Sequence, residues 1–346
     1  MSHRIRKLCW GAFLIALLGG RTPCRADGGF VSQLGLDIWE PSQLALILYD
    51  PEAQREEMII QVGFQSMSAD FAWIVPVPGV PELTAEENTP FYELSRLTRP
   101  LERDRGLDCG CSDTERPVDY GADNQEDVTV LDDQAVGVFH ALTLEASDAG
   151  ALADSLGAWG YLHEENEEQV VSSLQHYVAK SWYFVAMKID SADARAEYQN
   201  NYYYGGLQPV RFAFVTDAVV YPMHISAISA VANTDVLLYV CADHRMTFDG
   251  ASTEYANWFS ESELDAVRKS YTTLPALLAQ PCFLTKLRRT FRPQEMTEDI
   301  YLERAESDRE YRQIRYSGVP AAEGLLFVIL GILLTLARRR RLPTRG

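Results

Sequence analysis

The sequence predicts an α+β fold: mixed, largely antiparallel sheets with helices, plus one C-terminal transmembrane helix. Three observations predict it. Short apolar runs rich in Val, Ile, Phe and Tyr are bounded by turn residues, as strands are. Helix-capping signals fall between some of these runs without alternating strictly with them, which favours α+β over a doubly wound sheet. Residues 324–337 are almost wholly apolar and run into four arginines.

Along the chain, the apolar runs 44–49 and 58–64 are separated by Asp50-Pro51 and a charged turn, which predicts a β-hairpin. The next strand is 71–75, inside DFAWIVPVPGVP. Pro76 and Pro78 have no N–H for a ladder, so central pairing is expected to end by Val75 or to become edge-only. A helix is predicted over 89–97, with Pro90 in its first turn and Phe91, Leu94 and Leu97 on one face. Asp148 and Asn166 are N-cap candidates for helices over 149–158, followed by Gly160, and 167–180, the second bearing Val170, Val171, Leu174, Tyr177 and Val178. Strands are predicted at 182–189, 209–220 and 236–241, and helices at 261–269 and 274–278. A charged stretch, 297–315, then leads to the apolar tail.

The two ends read as export and anchoring signals. Arg4, Arg6 and Lys7 precede an apolar run, 8–18, and a polar stretch closing on Cys24-Arg25-Ala26, the layout of a signal peptide spanning 1–26. A transmembrane helix over 319–337 followed by a basic tail, 338–346, places the tail in the cytoplasm by the positive-inside rule. Residues 27–316 are then an extracytoplasmic domain. Without the ends, 21 of the 31 basic residues and 48 of the 49 acidic ones remain, a formal charge of −27. Such a body repels nucleic acid and anionic lipid headgroups.

The exported body keeps Cys109, Cys111, Cys241 and Cys282, an even number in an oxidising compartment, which argues for two disulfides. Cys109 and Cys111 stand too close in sequence to pair with each other without strain, so each is expected to reach one of Cys241 and Cys282. The CGC pair lies among Asp104, Asp108, Asp113 and Glu115, whose charges disfavour the thiolate a redox cysteine needs. The acidic segment 102–133 reads as a long surface loop, and its carboxylates lack the spacing of a calcium loop.

No GxSxG, no P-loop and no GxGxxG after a strand is present, so no cofactor is expected. None of the body's histidines has a ligand spacing; His224 and His244, with Asp217 and Asp243, are the candidates for a metal or acid–base cluster. The segment AEYQNNYYYGGLQP gives Tyr202, Tyr203 and Tyr204 as candidate contact residues for a protein or glycan partner, with Trp73 a further one, since such rings offer rigid area with a polar tip.

Several ordered blocks together carry a resemblance: GGF after the signal, DFAWIVPVPGVPEL, LTRP, AxxLxxWGY, SWYFVAMKI, LQPVRFAFVTDAVVYPMHIS and LTKLRRTFRPQEMTEDI. The chain resembles the bacterial domain-of-unknown-function family numbered 2330 over most of the body. Members often begin their mature chain with CGGFFC; Asp27 and Ser32 stand where those cysteines would be, which implies the loss of one disulfide. The resemblance implies an exported bacterial protein of uncharacterised activity and carries over no catalytic residue. The expected function is a membrane-anchored extracytoplasmic envelope protein, a binding or scaffold module with a protein or glycan partner. The alternative is a metal-dependent envelope hydrolase with a site near His224 and His244. An enzyme shows convergent ionisable groups in a pocket, and a binding module an exposed contact surface.

Overall fold

The computed structural model describes residues 29–317 apart from 33–37, 40–41, 67–69, 105–131, 138, 146–148, 163–166, 191–196, 200–201 and 231. The expected signal, transmembrane helix and tail, Cys109 and Cys111, and the caps Asp148 and Asn166 lie outside the described residues. Among the described residues no helix is long and apolar enough to cross a membrane.

Strands dominate, and all but two of their pairings are antiparallel. A five-stranded sheet runs in the order Gly29–Ser32, Asp70–Val77, Tyr183–Asp190, Phe139–Glu145, Asp132–Val136. A larger sheet of eleven strands is built on the hairpin Ser42–Asp50 and Arg55–Ser66, then Thr234–Ala242, Cys282–Phe291 and Ser252–Phe259. The hairpin turns where Asp50 Oδ1 accepts from the N–H groups of Glu52 (2.8 Å) and Ala53 (3.0 Å), an aspartate turn that sets the register Asp50 opposite Arg55.

Period-two alternation explains how the sheets stack. Phe71, Trp73, Val75 and Val77 point from the small sheet into a shared core with Ile47, Ile60, Phe212 and Leu238 of the large one. The alternate residues Ala72 and Ile74 face the helices Ala149–Ala158 and Glu167–Val178, through Leu152, Leu156, Val170, Leu174 and Tyr177. On the far side of the large sheet, Leu46, Ile59 and Tyr239 pack on the helices Thr89–Leu97, Glu261–Ser270 and Leu274–Leu277. The result is four layers: helices, small sheet, large sheet, helices. Strands buried on both faces carry continuous apolar runs, which is why AWIV and LLYVC lack polar alternation.

DFAWIVPVPGVP keeps its strand to Val77, two residues past the expected limit, but with one neighbour there among the described residues. The ladder to Gly29–Ser32 stops at Ile74, whereas that to Tyr183–Asp190 continues through Pro76 and Val77. The prolines therefore lie where the strand has become an edge. Trp73, a contact candidate in the sequence, is wholly buried; its ring meets Phe212 edge-on at 5.9 Å and Phe139 at 6.1 Å, so it fills the core instead of facing a partner.

Two sequence expectations need correction. The strand expected over 209–220 divides into Val210–Val215 in the large sheet and Val219–Tyr221 against Ile300–Arg304. Thr216 breaks it: its N–H donates to the Gln54 carbonyl (2.8 Å), and its hydroxyl donates to the Ala218 carbonyl (3.0 Å) in a tight local turn. The stretch 297–315 is not merely a charged approach to the tail but contains the strands Ile300–Arg304 and Tyr311–Arg312 and the start of Ile314–Ser317, the last pairing in parallel with Leu101–Asp104.

The helices on the large-sheet side are fastened by one carboxylate. Glu93 accepts from the N–H groups of Thr272 (2.8 Å), Thr273 (3.0 Å) and Leu274 (2.9 Å) and from the hydroxyls of Thr272 and Thr273 (both 2.8 Å). These are the orphan donors at the start of Leu274–Leu277. Burial pushes the Glu93 carboxyl up, but the five donors outweigh it and hold it at about 2.

Glu56 is the opposite case. It is fully buried, its Oε2 accepts from the Val220 N–H (3.0 Å), and its Oε1 has no hydrogen-bond partner among the described residues. Burial raises this carboxyl well above the usual range despite the Val220 bond. A raised folded value gives stability that is full below the unfolded value near 4.5 and is lost as pH rises toward the folded one. Glu56→Gln is therefore expected to match the parent near pH 4.5 and to gain on it above, by up to about 1.4 kcal/mol per pH unit. Thermal unfolding from pH 4.5 to 8.5 measures this; parallel curves contradict it.

Candidate binding cleft

A cleft of about 680 Å³ opens where the Thr247–Gly250 stretch, the end of Cys282–Phe291 and the segment reaching Ile300–Arg304 come together. Its floor is aromatic: Phe248 and Phe291 lie with ring planes 10° apart and centroids 6.5 Å apart. The Arg289 guanidinium lies over Phe291 at 4.2 Å and donates to the Asp249 carbonyl at 2.8 Å. That placement requires Gly250, which has φ of +68° and whose missing Cβ would come within 3.0 Å of Arg289 Nε. Glu295 closes the next turn, accepting from the Arg292 N–H (2.8 Å) and side chain.

The rim is acidic. The Asp249 side chain is fully exposed, that of Glu298 is 74% exposed, and Glu303 is also exposed. Tyr301, 43% exposed, adds an aromatic face. Among the described residues Arg289 is the single basic one in the lining, and it is held by Asp249 and Phe291.

Behind this rim Asp299 organises a buried polar cluster. Its Oδ1 accepts from the Tyr177 hydroxyl (2.6 Å) and the backbone N–H of His224 (3.2 Å), and its Oδ2 from Lys180 Nζ (2.7 Å). Its side chain has no exposed surface. The Tyr177 hydroxyl in turn accepts from the Ile225 N–H (3.0 Å). Lys180 Nζ sits over three rings, Tyr177 at 5.7 Å, Trp182 at 5.2 Å and Tyr301 at 5.6 Å. This is a carboxylate-backed aromatic cage occupied by the protein's own ammonium. Burial and the Asp299 charge push the Tyr177 hydroxyl far up. Burial pushes the Lys180 ammonium down, but the bond to Asp299 outweighs it and the net shift is upward.

His224 and His176 stack with ring centroids 4.1 Å apart, and His176 Nε2 lies 3.5 Å from Asp299 Oδ2. Burial first, then the neighbouring His176 ring, lowers the His224 imidazole below its ordinary value. His224 thus joins a cluster with His176, not one with His244. His244 sits between Asp308 (3.1 Å) and Asp243 (3.3 Å). Asp217 and Asp243 both act on Tyr49, whose hydroxyl is raised by burial and then by their charges. The four candidates therefore divide between two neighbourhoods. Among the described residues no group of three or more His, Cys, Asp or Glu is placed to hold a metal ion.

The segment bearing Tyr202, Tyr203 and Tyr204 is a strand, Tyr202–Gly206, paired with Glu197–Gln199 and Arg55–Ser66; the tyrosine side chains lie outside the described part. Cys241 and Cys282 carry free thiols, and no disulfide joins described residues. Sequence reasoning named His224 but missed its partners Tyr177, Lys180, His176 and Asp299. The available signals were indirect: Tyr177 was assigned to the apolar face of its helix, and Asp299 lies in the TEDI end of the last family block.

A family model described as an uncharacterized protein conserved in bacteria (DUF2330) matches residues 23–303. No curated protein matches the chain. Among solved structures, the crystal structure of baculovirus P35 aligns with 82% of this chain and 98% of that chain at 9% identity. Its TM-score is 0.32, a likeness that carries no inference.

Proposed function

The chain belongs to DUF2330, the uncharacterized family conserved in bacteria, and on that premise we propose that it is a membrane-anchored extracytoplasmic binding module of the bacterial envelope whose cleft receives a basic segment of a protein partner. The single observation that carries the binding reading is the division of labour at the cleft. The Asp299 carboxylate behind it is spent on the Tyr177 hydroxyl, Lys180 Nζ and the backbone N–H of His224, while His224 Nδ1 and His176 Nε2 have no hydrogen-bond partner among the described residues. The carboxylates at the rim are exposed, Asp249 within 3.5 Å of Arg289 and Glu298 within 4.0 Å of His176, beside an exposed aromatic face. Recognition of a cation needs such an exposed acidic and aromatic arrangement. The signal-like N-terminus, the arginine-flanked apolar tail and the −27 body support the envelope location.

The test is calorimetric titration of the full-length chain with a lysine-rich peptide and, separately, a neutral oligosaccharide, at low and high salt. Peptide binding that weakens with salt is expected, and Glu298→Gln with Glu303→Gln is expected to cost about fivefold in affinity. Salt-independent binding, binding of the oligosaccharide alone, or indifference to the double substitution overturns the proposal.

A further inference from the structure

Outside the cleft, one pair of reactive side chains is brought together by sheet register alone. Thr234–Ala242 and Cys282–Phe291 pair antiparallel with Cys241 opposite Leu284 and Ala242 opposite Phe283. Cys282 therefore lies two residues from the partner of Cys241, on the same sheet face and diagonally across from it. Both thiols adjoin the cluster formed by Tyr255, Phe259, Leu264, Leu278 and Leu284.

The two positions are unequal. Cys241 is buried and Cys282 is partly exposed. The neighbouring Cys282 sulfur, with burial, raises the Cys241 thiol well above the ordinary value. Cys241 in turn lowers the Cys282 thiol against the opposing effect of burial. A partly exposed cysteine beside a buried one on the same sheet face is the arrangement an exchange couple needs.

We propose that Cys241 and Cys282 form a thiol–disulfide exchange couple, with Cys282 the attacking and Cys241 the resolving sulfur, acting on a disulfide-bearing peptide or small molecule. The Cys282 thiolate attacks one sulfur of the incoming disulfide, forming a mixed disulfide and expelling the other sulfur as a thiolate. The Cys241 thiol then gives up its proton to the expelled group, and its sulfur attacks Cys282, releasing the second thiolate. Two protein thiols become one cross-strand disulfide, and one external disulfide becomes two thiols. The reverse sequence oxidises a dithiol partner.

The test uses the reduced full-length chain, oxidised glutathione as the probe, acid quenching, alkylation and peptide mass spectrometry. A Cys241–Cys282 cross-link is expected in the parent and in the Cys109→Ser, Cys111→Ser double variant. Cys241→Ser is expected to trap glutathione on Cys282, whereas Cys282→Ser leaves Cys241 unmodified. Alkylation of Cys282 about tenfold faster than of Cys241 is also expected, since exposure and thiolate character set the rate. This last reading needs no variant and stands even where a substituted chain misfolds. Linkage of Cys241 or Cys282 to Cys109 or Cys111, or a parent chain that stays reduced or stops at the mixed disulfide, overturns the proposal.

Discussion

Glu93→Ala is expected to destabilise the protein by about 3–4 kcal/mol, since it leaves the N–H groups of Thr272, Thr273 and Leu274 without their acceptor and separates two helices that the carboxylate joins. Chemical denaturation at pH 7 measures the loss. The pH dependence distinguishes a charged acceptor from simple packing. The folded value of about 2 lies below the unfolded one near 4.5. The carboxylate's contribution is therefore present above pH 4.5 and lost as pH falls toward 2. The gap between parent and variant should shrink over that window. A gap independent of pH would assign the role of Glu93 to packing.

Asp299→Ala should rank with it, at about 3 kcal/mol, because removing the centre of a buried polar cluster strands its partners. Tyr177 and the backbone N–H of His224 lose their acceptor, and Lys180 loses its carboxylate partner. A double-mutant cycle with Tyr177→Phe should return a coupling of about 1–2 kcal/mol; additive losses would mean the short Tyr177–Asp299 bond contributes nothing of its own. Lys180 supplies the alkaline signature. Its raised folded value gives stability that is full below 10.5 and is lost as pH rises through the folded one. Without Asp299 that alkaline decline should flatten.

Local signals made much of the fold legible. The hairpin declared itself by Asp50-Pro51 between apolar runs, and the helix Thr89–Leu97 by Pro90 and its apolar face. The strands Ser252–Phe259 and Cys282–Phe291 were missed because charged letters conceal their place in the sheet. Lys286 pairs with Glu254 at 2.8 Å, and Arg288 bonds both Glu254 and Asp235 across neighbouring strands. Those partners lie far apart in sequence, so TKLRR reads as a surface segment when taken alone. The polar cluster was hidden for the same reason: Tyr177 and Lys180, His224 and Asp299 come from three separated segments. In one dimension Tyr177 is just another apolar-face residue of its helix.

The parallel ladders impose an order of assembly. Ser42–Asp50 borders Thr234–Ala242, and Leu101–Asp104 borders Ile314–Ser317. The first ladder joins elements separated by more than half the chain, and the second cannot form until residue 314 has emerged. A chain emerging N-terminus first from the ribosome therefore holds its early hairpin with one edge unfilled until Thr234–Ala242 arrives. Closing such distant contacts is slow and exposes unpaired strand edges meanwhile. Whatever first meets the emerging chain meets an incomplete sheet waiting for its last strands.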